Sequence, residues 1–192
     1  LHAYREIARA ISYEDNNEFY EVLTDQVLNI SNADGISIYS LENNELNFRI
    51  MKNRSLHCHL GGSSENELNF PPLKLYNDDG AENHANISVH VAHTAQALYL
   101  DDAYDSTDFD FTGMRVFDEK LGYRSKAFAT IPIIDYTDKV QGVIQVINPI
   151  DFETDKLIVF NADIITDLQN FNRHVGSYIS QKRLLVEINN MF

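Results

Sequence analysis

The sequence predicts an α+β domain: a central antiparallel sheet of five to six strands, terminal helices on one face, and short helices and loops forming a pocket on the other. Three observations lead there. The apolar period is helical at both ends of the chain and twofold between them. Two stretches near residues 126–134 and 140–147 are apolar on both faces, so they need cover on both. The chain has 192 residues and is 44% hydrophobic, which suits one core of ordinary size.

In chain order, residues 1–14 read as a helix with Tyr4, Ile7 and Ile11 on one side and Tyr13 near its end. The run Glu14-Asp15-Asn16-Asn17 interrupts it, and Asp15 with Glu18 forms a capping-box pattern. A second helix carries Phe19, Leu23, Val27 and Ile30 on one face and ends near Asn32. The period then changes. Gly35 to Leu41 reads as a strand, Asn43-Asn44 as a tight turn, and Leu46, Phe48 and Ile50 as the inward set of a second strand, together a hairpin. Residues 52–86 contain Gly61-Gly62-Ser63-Ser64, Pro71-Pro72 and Asn77-Asp78-Asp79-Gly80, a long polar excursion of the functional or mobile kind. A short helix over 87–97, a strand over 97–104 and a short helix over 113–121 follow.

Lys126 to Ile134 and Val140 to Ile147 are strands joined by the polar turn 135–139. Ala127, Ala129, Ile131 and Ile133 alternate with Phe128, Thr130, Pro132 and Ile134. Pro132 lacks a ladder donor, which implies an edge or a bulge. Pro149 ends the sheet, and a helix starting near Asp155 or Asn161 runs to the end.

That helix has the sharpest periodicity in the chain. Ile164, Leu168, Phe171, Val175, Tyr178, Lys182, Leu185, Asn189 and Phe192 follow one another at spacings of four and three, a heptad seam. A helix of about 30 residues is roughly 45 Å long, more than a sheet can cover. The early positions are expected to pack on the sheet, while Leu185 and Phe192 need a partner helix. Lys182 and Asn189 are polar seam residues of the kind that set register. Gly176 costs the helix about 1 kcal/mol relative to Ala and is taken to mark where the domain gives way to a linker. The expected division is therefore an N-terminal helix over 1–14, a folded domain over 15–180, and the start of a C-terminal linker helix over 181–192.

The segment Phe117-Asp118-Glu119-Lys120-Leu121-Gly122-Tyr123-Arg124-Ser125-Lys126-Ala127-Phe128-Ala129-Thr130-Ile131-Pro132-Ile133 resembles the GAF family, in which a short helix ends in a Gly-Tyr/Phe-Arg turn and a strand with an internal Pro follows. Val140-Gln141-Gly142-Val143-Ile144-Gln145-Val146-Ile147-Asn148 is similar to the family's next strand. The resemblance covers roughly residues 18–180. It implies a regulatory sensor of bacterial signal transduction, not an enzyme. The physics agrees: Gly122 permits the turn at positive φ, and Arg124 and Lys126 set cations near a helix C-terminus. One departure matters. Cyclic-nucleotide-binding members carry Asn-Lys after the last strand and later Phe, three residues, then Asp-Glu. Here Asn148 precedes Pro149, and Phe160 leads to Ile164-Ile165, so that ligand is not carried over. The ending from Leu185 to Phe192 is similar to the helix that leads into an HD-GYP cyclic-di-GMP phosphodiesterase domain, or into a cyclase or kinase.

Composition excludes other classes. A net charge of −14 repels phosphate backbones and anionic lipid, so nucleic acid is not expected as a partner, nor membrane contact by this segment. No apolar run reaches about 18 residues, and no leader pattern is visible. The chain opens on Leu1, which reads as a piece of a longer protein. One cysteine, Cys58, forms no disulfide framework, and a cytoplasmic setting is expected. The histidines invite a metal or haem reading, through His57-Cys58-His59 or through His84, His90 and His93, but no zinc spacing is present. Bilin attachment at Cys58 would sit at the wrong place in the chain. The acidic run Asp101, Asp102, Asp105, Asp108 and Asp110 lacks the calcium-loop pattern and reads as a solvated loop. No GxxxxGK[ST], GxSxG or HExxH occurs.

The expected function is a sensor that binds a small molecule of unknown identity and relays the event through a dimeric C-terminal helix to an output domain. No cofactor is specified. Candidate ligand residues are Tyr99, Tyr104, Arg115, Phe117, Tyr123 and Thr130, between the sheet and segment 87–125, or else these simply fill the core there. Candidate dimer residues are Phe171, Val175, Tyr178, Lys182, Leu185, Asn189 and Phe192. The alternatives are a dimerisation scaffold with an empty pocket, and a haem or metal sensor using His90 and His93.

Overall fold

A computed structural model describes residues 5–6, 16–66, 69–189 and 191. The elements are α1 (Asn16–Ser31), β1 (Ala33–Glu42), β2 (Glu45–Asn53), β3 (Cys58–Gly61), β4 (Leu73–Lys74), α2 (Ile87–Thr94), β5 (Leu98–Leu100), α3 (Thr112–Leu121), β6 (Phe128–Ile134), β7 (Val140–Pro149) and α4 (Ala162–Asn189). The strands form one antiparallel sheet in the order β3-β2-β1-β7-β6-β5, with β4 beside the start of β2. The expected α+β arrangement is the one observed. Two more short strands, β3 and β4, arise from the polar excursion at 52–86. The N-terminal helix expected over 1–14 and the Asp15 cap lie outside the described residues.

Helices α1 and α4 cover one face. Phe19, Leu23 and Val27 of α1 and Leu168, Phe171 and Val175 of α4 are buried against Ile36, Ile38, Ala129, Ile131, Ile133, Ile144 and Val146. Removing each large side chain from water contributes about 1.5–3 kcal/mol, so this face supplies most of the cohesion. Lys52 of β2 reinforces it, pairing with Glu21 (2.6 Å) and Asp25 (2.9 Å) of α1. On the other face α2 packs Val89, Val91 and Ala92 against Tyr39, Leu46 and Val143.

Three local readings need correction. Leu46, Phe48 and Ile50 do not share a face. Ile38 pairs with Ile50 while Tyr39 pairs with Phe48, so Arg49 is an extra, bulged residue. The slip sends Ile50 to the α1/α4 side and leaves Leu46 and Phe48 on the α2 side. The short strand and helix around Ala97 are also shorter than the periodicity suggests. Ala95, at φ +54, ends α2, and β5 pairs with β6 only from Phe128 to Thr130. Beyond Thr130 no described strand pairs with the outer edge of β6, and Pro132 sits on that part, its carbonyl accepting from Asn172 Nδ2 of α4.

The third correction concerns Gly176. It is not where helix and domain part. A Cβ there would overlap the carbonyl of Ile134, so glycine lets the backbone of α4 rest directly on the end of β6. Val175 is fully buried beside it, and Tyr178 and Ile179 still pack on the core. The helix starts after Asn161, whose side chain accepts from Ile164 N–H at 2.9 Å. Further along, Ser180 Oγ donates to Asp135 Oδ2 (2.8 Å) and the Lys182 ammonium lies 5.9 Å from the Phe19 ring.

Asp135 also accepts from Thr137 N–H and Oγ (both 2.7 Å), Lys139 N–H (3.1 Å) and Gln141 Nε2 (2.6 Å). Burial by itself would raise its pKa, but these hydrogen bonds outweigh it and hold the carboxyl well below the usual carboxylate range.

Two outcomes are expected. In a linker, Gly176→Ala would stabilise the helix by about 1 kcal/mol; against Ile134 it lowers the unfolding free energy by about 2 kcal/mol in urea titration, and a gain would refute the contact. For Asp135 the folded pKa is depressed, so its contribution is complete above about pH 4, the unfolded value, and is lost as pH falls towards the folded one. Asp135→Asn should flatten the acid limb of the stability profile; an unchanged limb would assign it to other groups.

Candidate functional site

The α2 side of the sheet is not filled. A cavity of about 410 Å³ lies between the sheet and a cover made of the 70–73 segment, the start of α2, and α3 with the loop before it. Its walls are aromatic. Phe48 stands between Tyr39 and Phe70 at ring distances of 4.3 and 5.0 Å, and Phe111 packs on Phe128 at 5.5 Å. Across this apolar floor runs one polar row. Ser37, Gln145 and Thr130 are register partners on β1, β7 and β6. Gln145 Nε2 reaches Thr130 Oγ1 at 3.3 Å and Ser88 Oγ, on α2, at 3.4 Å. Burial pushes the Tyr39 hydroxyl well above its ordinary pKa, and a bond with Ser88 offsets only part of this.

The end of the cavity is closed by the turn between α3 and β6. Gly122, at φ +62, ends α3 in a left-handed cap, as its place in the sequence predicts. The turn is then pinned by side chains. Tyr123 donates to Asp34 Oδ2 (2.7 Å) and accepts from Asn148 Nδ2 (2.9 Å). Asn148 Oδ1 accepts from the N–H groups of Lys126 and Ala127 (2.8 and 3.1 Å), while its Nδ2 also donates to the Arg124 carbonyl (2.8 Å). Asp34 is itself held by Ser55 N–H and Oγ. Burial, then the bond to Asp34, raises the Tyr123 pKa far above the ordinary range, so it stays a donor. Asp118 is buried and accepts from Ser125 N–H (2.7 Å), Ser125 Oγ (2.8 Å) and the Tyr104 hydroxyl (2.8 Å).

The six residues expected to surround a ligand are therefore divided. Phe117 and Tyr123 line the cavity. Thr130 lies fully buried beneath it, one bond from the lining Gln145. Tyr104 and Arg115 belong to an outer cluster: Arg115 Nη2 donates to the Tyr104 carbonyl (3.1 Å), and the Arg124 guanidinium lies 4.2 Å from the Tyr104 ring while pairing with Asp102. Tyr99 faces the other side of the sheet, where its hydroxyl accepts from Gln169 of α4 at 3.1 Å. Strand alternation explains the miss: β5 is so short that its facing could not be fixed from the sequence. Ser37, Phe48 and Gln145 were not singled out. The signal was present in Gln145, a polar side chain with two apolar residues on either side of it in β7.

The histidines are placed apart from the cavity floor. His59 Nε2 lies 2.8 Å from Glu21 Oε1, and His57 sits in a turn at φ +49. Burial raises the Cys58 thiol pKa, which disfavours the thiolate. His84 bridges Glu82 and His90 Nδ1 (each 2.9 Å), while His93 Nε2 donates to the Leu75 carbonyl (2.7 Å). Among the described residues no group of three or more His, Cys, Asp or Glu side chains is disposed to hold a metal ion. The acidic loop holds itself together, with Asp102 accepting from Tyr104 N–H and Asp110 from Thr112 N–H. Tyr123→Phe removes a bond to a buried carboxylate and should cost about 2 kcal/mol in urea unfolding; a loss under about 0.5 kcal/mol would show that the turn is held otherwise.

Among the described residues no helix is long and apolar enough to cross a membrane. No family model matches the chain. Solved structures do match it over nearly their whole length. The GAF domain of an Acinetobacter phosphoenolpyruvate-protein phosphotransferase is 17% identical with a TM-score of 0.64, covering 97% of this chain and 96% of its own. A methyl-accepting chemotaxis protein is 18% identical with a TM-score of 0.64, covering 95% and 98%. A GAF domain/HD domain protein of Geobacter sulfurreducens is 12% identical with a TM-score of 0.59, covering 93% and 98%. The sheet order, the covering helices and the Gly122-Tyr123 turn together with these matches show that the chain has the fold of a GAF domain.

Proposed function

We propose that this chain is a regulatory sensor domain of a bacterial signalling protein, which takes a small molecule into the cavity and relays its presence through α4 to an output domain. The cavity carries this reading: a concave, aromatic space with a few convergent polar groups is the usual form of a small-molecule site. The structural neighbours come from chemotaxis, phosphotransfer and kinase proteins, which fits a regulatory and non-enzymatic role. A cytoplasmic location goes with this reading. An output of the cyclic-di-GMP phosphodiesterase kind follows from the resemblance of the tail and from the neighbour that carries an HD domain.

The relay has a physical basis in α4. Its first half is built into the domain through Leu168, Phe171 and Val175. Past Lys182 the described apolar side chains are exposed: Leu184 at 52%, Leu185 at 57% and Ile188, with Met191 just beyond the end of the helix. At about 100° per residue, Leu184 and Ile188 project roughly 140° away from the sheet-facing side, and Leu185 lies between the two. A second copy of α4 is the occupant that buries them, with residues 181–192 as the start of the signalling helix. The described part of the seam includes Tyr178, Lys182 and Leu185; Phe192 lies outside it, as does the side chain of Asn189. A ligand shifts such a helix only by its difference in affinity for two arrangements.

One experiment addresses both halves. Native mass spectrometry of the freshly purified chain should show a dimer carrying a small adduct, and Leu185→Asp with Ile188→Asp should give a monomer that keeps the adduct. A clean apo mass in every preparation counts against the sensor, and an unchanged mass in the variant counts against the dimer.

A further inference from the structure

The chemistry of the cavity narrows its occupant. The inference rests on the cavity being a ligand site, as proposed above. Cations near it are engaged elsewhere. Lys52 touches the lining, but its ammonium is held by Glu21 and Asp25 on the α1 side. Arg115 is turned to the Tyr104 carbonyl, and Arg124 to Asp102. Two helix starts face the cavity, and a helix N-terminus usually attracts an anion. Both already carry their own acceptors. Asn86 Oδ1 takes the N–H groups of Ser88 and Val89 at the start of α2, and the Asp110 carboxylate takes Thr112 N–H at the start of α3. An anionic ligand would meet Asp110 with no cation to offset it.

What the cavity does offer is ring surface on two sides and one short polar row. Phe48 and Phe70 stand on one side, Phe111, Phe117 and Phe128 on the other. Between them Gln145 makes only long bonds, at 3.3 and 3.4 Å, beyond the usual range for an amide donor. A part-buried amide held so weakly is under-satisfied, and a ligand group that pairs with it gains a better bond.

We propose that the cavity takes an uncharged aromatic-ring compound bearing an amide-like hydrogen-bonding group, with the ring between the phenylalanines and the polar group on Gln145 and Ser88. Anionic nucleotides and carboxylates are disfavoured by the same arrangement.

Benzamide, benzoate and toluene share a ring and differ in charge and polarity, so they separate the contributions. In protein-observed NMR titrations of the full chain, benzamide should shift the Gln145 side-chain amide and the backbone amides of Gly35 to Tyr39 saturably. Benzoate should bind at least tenfold more weakly. Gln145→Leu, or Ser88→Ala should the first fail to fold, should weaken benzamide about fivefold and leave toluene unchanged. Benzoate binding as tightly as benzamide would overturn the ligand class while leaving the cavity a binding site. Toluene binding without benzamide would overturn the role of the polar row. Binding by none of the three would overturn this assignment and the sensor reading together.

Discussion

Strands β1, β7 and β6 are largely buried on both faces, and a sheet built from them must be covered twice. Everything else in the domain answers that constraint. One face is met by two long helices whose aliphatic and aromatic stripes match it closely, because α1 and α4 each offer a continuous row at helical spacing. The other face is met by short elements with little apolar surface of their own. Helix α2 covers Tyr39 and Val143, but α3 buries mainly Asp118 and leaves Val116 and Leu121 exposed. The cover is therefore incomplete above Ser37, Gln145 and Phe128, and a cavity remains. Unequal cover of the two faces produces a filled side and an open side.

The polar interactions follow the same division. The chain carries 29 acidic residues, and several of the buried ones act as clamps on turns rather than as free charge. Asp34, Asp118 and Asp135 each gather donors from a neighbouring turn, and two of the three take a tyrosine hydroxyl. A short loop fixed in this way can close a cavity without a large apolar contribution, because each bond to a carboxylate is worth more than one between neutral groups. The turn bearing Tyr123 is the clearest case. It joins α3, β1 and β7 at one point.

Helix α4 is docked on that sheet through its first half. At Gly176 its backbone lies on the end of β6 with no side chain between, and Ser180 reaches the turn just beyond. The junction is stiff for a physical reason: backbone touching backbone has no rotamers to relax. Past Lys182 the same helix is solvent-exposed, with apolar side chains on more than one side.

The sequence by itself determined the fold class, the position of nearly every element, the Gly122 turn and the division of α4 into a docked and an exposed part. These depend on periodicity and on the backbone preferences of glycine and proline, which are local. Only the tertiary structure decided what depends on register and distance. The Arg49 bulge reversed the facing of Ile50 relative to Phe48, because one extra residue inverts strand alternation. Gly176 turned out to be a contact and not a boundary, since close approach of two backbones leaves no local signature. Of the candidate ligand residues, Phe117 and Tyr123 reached the cavity, Thr130 lay beneath it, and Tyr99, Tyr104 and Arg115 went elsewhere. Residue type marked them as suited to a site, but the facing of a three-residue strand and the partners of an arginine are set by neighbours distant in the chain.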